Sequence, residues 1–469
     1  MRVLLADVPA REWGFDASYP NMGILYLISC LRSRRPVANM TVAHLDARKT
    51  LAQHVDAVRE YDPDIYGLSI SSLAVPRVPE IAAAVKGVAP RATIVCGGPG
   101  ATAAPGSVLA SAPVDACIIG EGEETFSELV AATADSPREA HAGGIPGTAV
   151  RGNGAVRMAP ERGLIRDLDS IPFPAWDLVD FSVYPGMHLK RRSPETNVLV
   201  SRGCPFNCCF CSNPVWKHSR PWLRSRSPQN VAEEVELLYQ RGVREVYLAS
   251  DELNFDESYA LSLCEALAGL GHRDLYFQCN VRAHPLSDEL AHALSEMNCW
   301  LVHLGVESAN DRVLGGIGKH VTVAQIETAC ERLSRQGVRV YAFMMLYQAW
   351  EENGTLAWET TGEVENSLRF TRRMFRSGLI HYMSWQFCTP LPGSPLHAIA
   401  AKHGLTDQGP TAGYEHRLGM TLPGIPKREM QRMLRRGILL KDWYMLRSGA
   451  VSLRHLGRIW ENIRSALGS

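Results

Sequence analysis

Ser201-Arg-Gly-Cys-Pro-Phe-Asn-Cys-Cys-Phe-Cys-Ser-Asn213 sets four cysteines within eight residues, and three of them, Cys204, Cys208 and Cys211, stand at the spacing C-x3-C-x2-C. These three read as thiolate ligands. A four-iron cluster is normally held by four cysteines, so a compact set of three leaves one iron open to something that is not protein. Gly203 and Pro205 suit a tight loop. The competing reading is a zinc knuckle or a disulfide staple. Structural zinc wants a second ligand pair at a suitable distance, whereas the next cysteines, Cys264 and Cys279, sit alone in periodic segments. If Cys209 were a fourth ligand, the adjacent Cys208 and Cys209 would chelate one metal through a strained turn, so Cys209 is read as packing or idle.

The rest of the chain bounds what such a loop serves. With 469 residues, 46% hydrophobic and 21% charged, the chain buries two or more cores in about two to four domains. Lys+Arg and Asp+Glu each number 49, which leaves no bulk charge to favour nucleic acid or a membrane surface. No run approaches the ~18 apolar residues of a membrane span, and Met1-Arg-Val-Leu-Leu-Ala-Asp7 lacks the ordered regions of a signal peptide. Twelve cysteines without export point to a reducing compartment, where clustered cysteines bind metal more often than they cross-link. The expectation is a cytoplasmic monomer acting on a small molecule, without nucleic-acid or membrane partners.

Ahead of the cysteine loop, residues 1–140 alternate short apolar runs with helical patterns. The runs are Val3-Leu4-Leu5, Thr41 to Leu45, Ile65 to Ser69, Thr93 to Cys96 and Ala116 to Ile119. Such alternation predicts a Rossmann-like, doubly wound parallel sheet, whose ligands sit beyond the carboxyl ends of the strands. Small residues collect there: Ser69, Ser71 and Ser72 after the third run, Gly97-Gly98-Pro99 after the fourth, and Gly120-Glu121-Gly122-Glu123 after the fifth. Residues 141–195 read as a linker, with a hairpin around Gly152-Asn-Gly154 and an extended connector at Ile171-Pro-Phe-Pro-Ala-Trp176.

The alternation returns over residues 196–400, with six strands predicted at Asn197–Val200, Val246–Ala249, Leu275–Gln278, Leu301–Leu304, Val338–Phe343 and Tyr382–Phe387. They make a partial (β/α)6 TIM barrel with its polar residues at the carboxyl ends of strands: Ser250-Asp251-Glu252, Arg282 and Glu307. Leu346 to Trp358 is expected as a long loop bearing Trp350 and Trp358. Together with Trp385 and Trp216 these tryptophans make either an aromatic pocket or rim packing. Residues 401–469 form a small helical C-terminal region. From about Lys427 its helix is read with Met430, Leu434, Leu439 and Trp443 on the apolar side and a basic outer face.

The cysteine loop, with Phe210 beside its last cysteine, resembles that of the radical S-adenosylmethionine (SAM) superfamily, where SAM occupies the fourth site of a 4Fe-4S cluster. Asn21-Met-Gly23, Gly97-Gly98-Pro99 and Gly120-Glu121-Gly122-Glu123 ahead of it resemble the cobalamin-binding domain of cobalamin-dependent radical SAM enzymes. No Asp-x-His-x-x-Gly motif offers a lower ligand to cobalt, so the resemblance implies a base-displaced corrin over the Ser71-Ser72-Leu73 loop; a degenerate domain that binds nothing is the alternative. It also implies SAM contacts from Phe210, Ser250, Asp251, Glu252, Arg282 and Glu307, although the glycines usual around the second-strand acid are missing. No acid or base catalyst is nominated.

The implied activity is a C-methylation at an unactivated carbon of a small metabolite, with electrons from a flavodoxin or ferredoxin and the substrate between the two domains. The alternatives are ring contraction, cyclisation or another rearrangement with the same cofactors, and a non-catalytic cobalamin-binding sensor or carrier.

Overall fold

A run of apolar residues carrying no charge, as in Val3-Leu-Leu-Ala6, can be buried on both faces only inside a parallel sheet covered by helices. In the computed structural model, which describes residues 1–9, 17–34, 37–135, 144–152, 155–217, 219–406 and 418–447, these four residues are all buried. The chain divides into two compact units, residues 1–197 with 215–245, and residues 198–214 with 246–469.

Unit 1 is built on a seven-stranded sheet of order β2-β1-β3-β4-β5-β6-β7. Its strands are β1 (Arg2–Asp7), β2 (Thr41–Leu45), β3 (Ile65–Ser69), β4 (Thr93–Gly97), β5 (Ala116–Ile118), β6 (Thr148–Arg151) and β7 (Val156–Met158). The first five pair in parallel, and β6 and β7 add an antiparallel edge. The predicted hairpin is thus formed by β6 and β7, while its turn residues Asn153 and Gly154 lie outside the described residues. Between the strands run α1 (Met22–Arg34), α2 (Leu51–Tyr61), α3 (Val78–Val88), α4 (Pro99–Ala103) and α5 (Pro105–Ser111), followed by α6 (Gly122–Asp135). Helix α2 starts where Thr50 and Gln53 form a capping box, which satisfies two otherwise orphaned donors.

The connector ends in Trp176, which is buried in unit 1 and donates its indole N–H to Glu234 at 2.7 Å. Glu234 lies on α7 (Pro228–Gln240) and also pairs with buried Arg226. A buried carboxylate is tolerable only when paired and hydrogen-bonded in this way.

The second sheet has six strands in the order β15-β12-β11-β10-β9-β8. They are β8 (Glu195–Leu199), β9 (Glu245–Ala249), β10 (Tyr276–Val281), β11 (Cys299–Glu307), β12 (Arg339–Leu346) and β15 (Tyr382–Phe387). Its helices include α8 (Glu257–Ala268), α9 (Asp288–Glu296), α10 (Asp311–Gly316), α11 (Val323–Arg335), α12 (Thr361–Arg376) and α13 (Pro395–Lys402). The sheet is an open partial barrel rather than a closed eight-stranded one. On its inner face Asn280, His303, Tyr341 and Tyr382 stand in register on four adjacent strands. The ring of His303 packs on Tyr341 and donates from Nε2 to Gln278 Oε1 at 2.9 Å, and burial holds its pKa down to about 4, so it is neutral.

Two expectations are corrected. The segment after β12 is a hairpin rather than a loop: β13 (Ala349–Glu352) pairs antiparallel with β14 (Thr355–Trp358). Its turn is Asn353-Gly354, with φ of 52° and 79°, the left-handed pair that a two-residue hairpin turn requires. Trp350 is buried at its base, against Gly316 of α10, where an added Cβ would lie 2.1 Å from the indole.

The second correction concerns α14 (Lys427–Arg447), which buries Met430, Met433, Leu434, Ile438 and Tyr444 but leaves Leu439 and Trp443 54% and 63% exposed. Gly437 sets this contact line, since its missing Cβ would stand 2.7 Å from the Trp385 ring. The C-terminal region beyond residue 447 lies outside the described residues.

Candidate functional site

The cysteine loop leaves β8 through Gly203, whose φ of +87° is open to glycine and costly for other residues. Three segments of unit 2 then pin it. The Cys209 N–H donates to Ile317 O at 2.9 Å, Leu396 N–H donates to Cys209 O at 2.8 Å, and the Cys209 thiol reaches Ala349 O at 3.4 Å. Cys209 is therefore a packing residue, spent on the backbone of the hairpin.

Cys204, Cys208 and Cys211 lie in the same loop with free thiols. Burial pushes Cys204 up to about 12 and Cys211 to about 11. It raises Cys208 as well, against the pull of Lys319 and Arg282. Without metal the three are thiols, and loading them with iron expels their protons. Among the described residues no three His, Cys, Asp or Glu side chains are grouped to hold a single metal ion; a cluster asks instead for one thiolate per iron. The backbone N–H of Asn213 already points at Cys211 Sγ, 3.4 Å away, the kind of bond that tunes cluster potential.

Around this loop the structure gathers the acids and bases from the strand ends. Asp251 accepts from Asn213 Nδ2 at 2.5 Å, which ties the end of β9 to the loop. Ser250 is buried with no partner for its Oγ, and Asn213 Oδ1 is likewise unmatched. Arg282, 2% exposed, stacks its guanidinium 3.7 Å from the centre of the Phe206 ring, and neither Nη1 nor Nη2 has a partner. Asn254 holds the backbone of Arg282 at both N–H and C=O, so the guanidinium is aimed rather than loose. A buried guanidinium without a carboxylate is a binding offer for an anionic group. Phe210, half-buried, completes the loop.

Glu307 ends β11 at φ +64°, where the register with β12 slips between Gly305 and Glu307. The slip turns its carboxylate toward Lys319 Nζ, 3.2 Å away, and Glu252 stands 4.0 Å from the same ammonium. Burial raises the Glu252 carboxyl, with Lys319 and Arg282 opposing. Burial likewise acts to lower Lys319, but Glu307 and Glu252 outweigh it and its pKa is raised.

Lys319 is the site residue that sequence reading missed. Its only local signal is the run Gly315-Gly-Ile-Gly-Lys319, which places an ammonium just after a turn with Gly318 at φ +69°. Glu359 was also missed; buried after β14, it accepts from Ser308 Oγ and from the Tyr347 and Gln348 N–H groups, and burial lifts it to about 8.

The candidate cobalamin residues all stand at the carboxyl ends of β1, β3, β4 and β5 in unit 1. Asn21 donates to Asp7 at 2.8 Å and Ser69 at 3.0 Å while its oxygen caps α1 at Ile24 N–H. Gly23 lies in that helix's first turn. Ser71, Ser72 and Leu73 form a half-buried turn after β3.

Against that turn packs Gly97-Gly98-Pro99-Gly100. A Cβ would lie 3.0 Å from Ile70 O at Gly98, which has φ +93°, and 2.5 Å from Ser71 O at Gly100. These glycines permit two strand-end turns to meet backbone to backbone. Gly120 donates to Thr102 Oγ1, Gly122 opens α6 and Glu123 is buried in its first turn. Glu121 is held by Arg224 at 2.8 Å and by Ile165 N–H at 2.7 Å, so its charge is spent within unit 1.

No described helix is long and apolar enough to cross a membrane. Residues 198–357 match the radical SAM superfamily and residues 15–130 the B12 binding domain. An uncharacterised methyltransferase of Pyrococcus horikoshii is 30% identical over 410 residues, 86% of this chain and 84% of that one. The anaerobic magnesium-protoporphyrin IX monomethyl ester cyclase of Cereibacter sphaeroides is 28% identical over 408 residues, 84% of this chain and 63% of that one.

Among solved structures, the radical SAM methyltransferase TsrM of Kitasatospora setae, with tryptophan and a SAM analogue, superposes with a TM-score of 0.70 at 17% identity, covering 94% of this chain and 89% of its own. TsrM has also been solved with cobalamin and a [4Fe-4S] cluster. With both modules matched in one chain and a relative 30% identical over 86% of it, the protein belongs to the cobalamin-dependent radical SAM enzymes, whose cofactors are a [4Fe-4S] cluster, SAM and cobalamin.

Proposed function

We propose that the chain methylates an unactivated carbon of a small metabolite. Bound together, the three cofactors supply a 5′-deoxyadenosyl radical for hydrogen abstraction and a methyl group on cobalamin for transfer. The observation that carries the reading is the set of groups at the strand ends of unit 2: three thiols in one loop, a buried Arg282 whose Nη groups lack hydrogen-bond partners, and the Glu307–Lys319–Glu252 set.

The residues divide the work by charge. Cys204, Cys208 and Cys211 would hold the cluster, and Arg282 would pair with the carboxylate of SAM through its free Nη groups. Glu252 and Glu307 would accept from the SAM amino group, Asp251 and Ser250 from its ribose, and Phe210 would bound the adenosyl moiety. Burial of Glu252, Arg282 and Glu307 keeps water from competing for these bonds. In unit 1 the half-buried turn Ser71-Ser72-Leu73 would underlie the corrin, with Asn21, Ser69 and the glycine turns shaping its edge. The electron would come from a flavodoxin- or ferredoxin-like donor.

The likeness to a named methyltransferase supports methyl transfer, and the likeness to a cyclase supports a second reading, ring formation with the same cofactors. Product analysis separates them. Methyl transfer consumes two SAM per turnover and yields S-adenosylhomocysteine together with 5′-deoxyadenosine, whereas 5′-deoxyadenosine alone beside product would favour the cyclase reading.

A further inference from the structure

Lys319 is one of the most deeply buried cations of the molecule, 4% exposed, and it is placed by two independent sets of bonds. Its own backbone closes a turn on α10, with Lys319 N–H donating to Leu314 O at 2.9 Å. The two residues before it touch the cysteine loop: Ile317 O accepts from Cys209 N–H at 2.9 Å, and Gly318 O lies 3.7 Å from Cys208 Sγ. A Cβ on Gly318 would be 3.3 Å from Asn207 O, so this turn lies flat against the loop. From there the side chain reaches the Glu307 and Glu252 carboxylates at 3.2 and 4.0 Å. Gly305 leaves the room, since a Cβ there would stand 2.6 Å from Nζ and 2.4 Å from Glu307 Oε1.

We infer that Lys319 is a positioning residue that fixes the Glu307–Glu252 pair and, as a permanent positive charge beside the Cys208 loop, raises the reduction potential of the cluster. The inference rests on the cluster-and-SAM reading above. Its physics is simple: a reduced cluster carries one more negative charge, and a cation fixed nearby in a poorly screened interior stabilises that form. Packing alone does not account for the arrangement, because a lysine needed only to close the turn would not have to be buried between two carboxylates, where desolvation is costly.

The test is a charge-compensation series on the anaerobically reconstituted full chain, titrated with an external one-electron reductant and followed by electron paramagnetic resonance, with iron content measured in parallel. Lys319→Met should retain iron and lower the midpoint, so that at the wild-type midpoint the reduced fraction falls from a half to roughly a tenth, a tenfold change in the equilibrium. Glu307→Gln should raise the midpoint. Lys319→Met/Glu307→Gln, which restores the net charge, should return it close to wild type, and Lys319→Arg should leave it there.

If Lys319→Met fails to fold, the comparison of Glu307→Gln with the double variant still decides, and equal midpoints in those two overturn the inference. An unchanged midpoint in a folded Lys319→Met overturns it as well. A wild-type protein that takes up no cluster would instead defeat the underlying reading, so the two failures are distinct.

Discussion

The strand ends of the two units occupy the same topological place, the carboxyl edge of a parallel sheet, yet they are furnished in opposite ways. In unit 1 the edge is made of backbone: glycine turns pressed on Ile70 and Ser71, small hydroxyls, and acids such as Glu121 already neutralised by Arg224. In unit 2 it is made of buried charge, with Glu252, Glu307 and Lys319 mutually engaged and Arg282 held ready. A surface of turns and small side chains fits a broad macrocycle fringed with neutral amides, which needs shape. An array of fixed charges fits an iron cluster and a zwitterion, which need compensation. The same sheet edge is thus specialised by what is removed from it in one unit and by what is buried in it in the other.

The contrast can be broken most severely at the cluster. Cys204→Ala, Cys208→Ala and Cys211→Ala should each lose bound iron almost completely, while Cys209→Ala should keep it and cost only about 1 kcal/mol for a lost S–H contact and its packing; iron counting and the visible spectrum check this, and the reverse pattern would refute the ligand assignment. Next in size is Glu359→Ala, which strands Ser308 Oγ and the Tyr347 and Gln348 N–H groups. It should destabilise the protein by about 2–4 kcal/mol in denaturant unfolding.

In unit 1, Gly100→Ala should cost about 1–3 kcal/mol by forcing Ser71 away and should impair cobalamin retention while leaving iron content unchanged. Loss of both cofactors together would show that the two edges are not separately furnished.

The smallest effect expected is at Asp7, whose carboxyl is raised to about 6 by burial, with Asn21 opposing. A raised acid stabilises the fold fully below its unfolded value of 3.8 and loses that contribution as pH rises through about 6. Asp7→Asn should therefore raise stability above pH 6 and leave it nearly unchanged near pH 4, read from thermal midpoints across that range.

The local features were legible in the sequence. The cysteine spacing, the strand runs and the glycine turns depend on residues close along the chain, and the structure forms strands from the runs with the cysteine loop and the glycine turns at their ends. What escaped depends on register and distance. Lys319 reaches Glu307 only because β11 slips at Gly305, and no pattern of apolar residues announces a slipped strand. Glu121 meets an arginine 103 residues away. On α14 two apolar stripes compete at helical spacing, and the choice between them was made by Gly437 against Trp385 rather than by periodicity. The hairpin after β12 was legible in principle, since Asn353-Gly354 is the strongest short-range signal for such a turn.

That Asn-Gly tip also gives the protein a chemical clock. Asn353 and Gly354 are exposed, and in this dipeptide the glycine nitrogen can attack the asparagine side-chain amide, releasing ammonia and leaving a succinimide that opens mostly to isoaspartate. The change would add a carboxylate beside Glu351 and Glu352 and lengthen the turn by one backbone atom, at the end of the hairpin whose base receives the Cys209 thiol. Stored protein would then age at this tip, and peptide mapping for isoaspartate at residue 353 would record the damage.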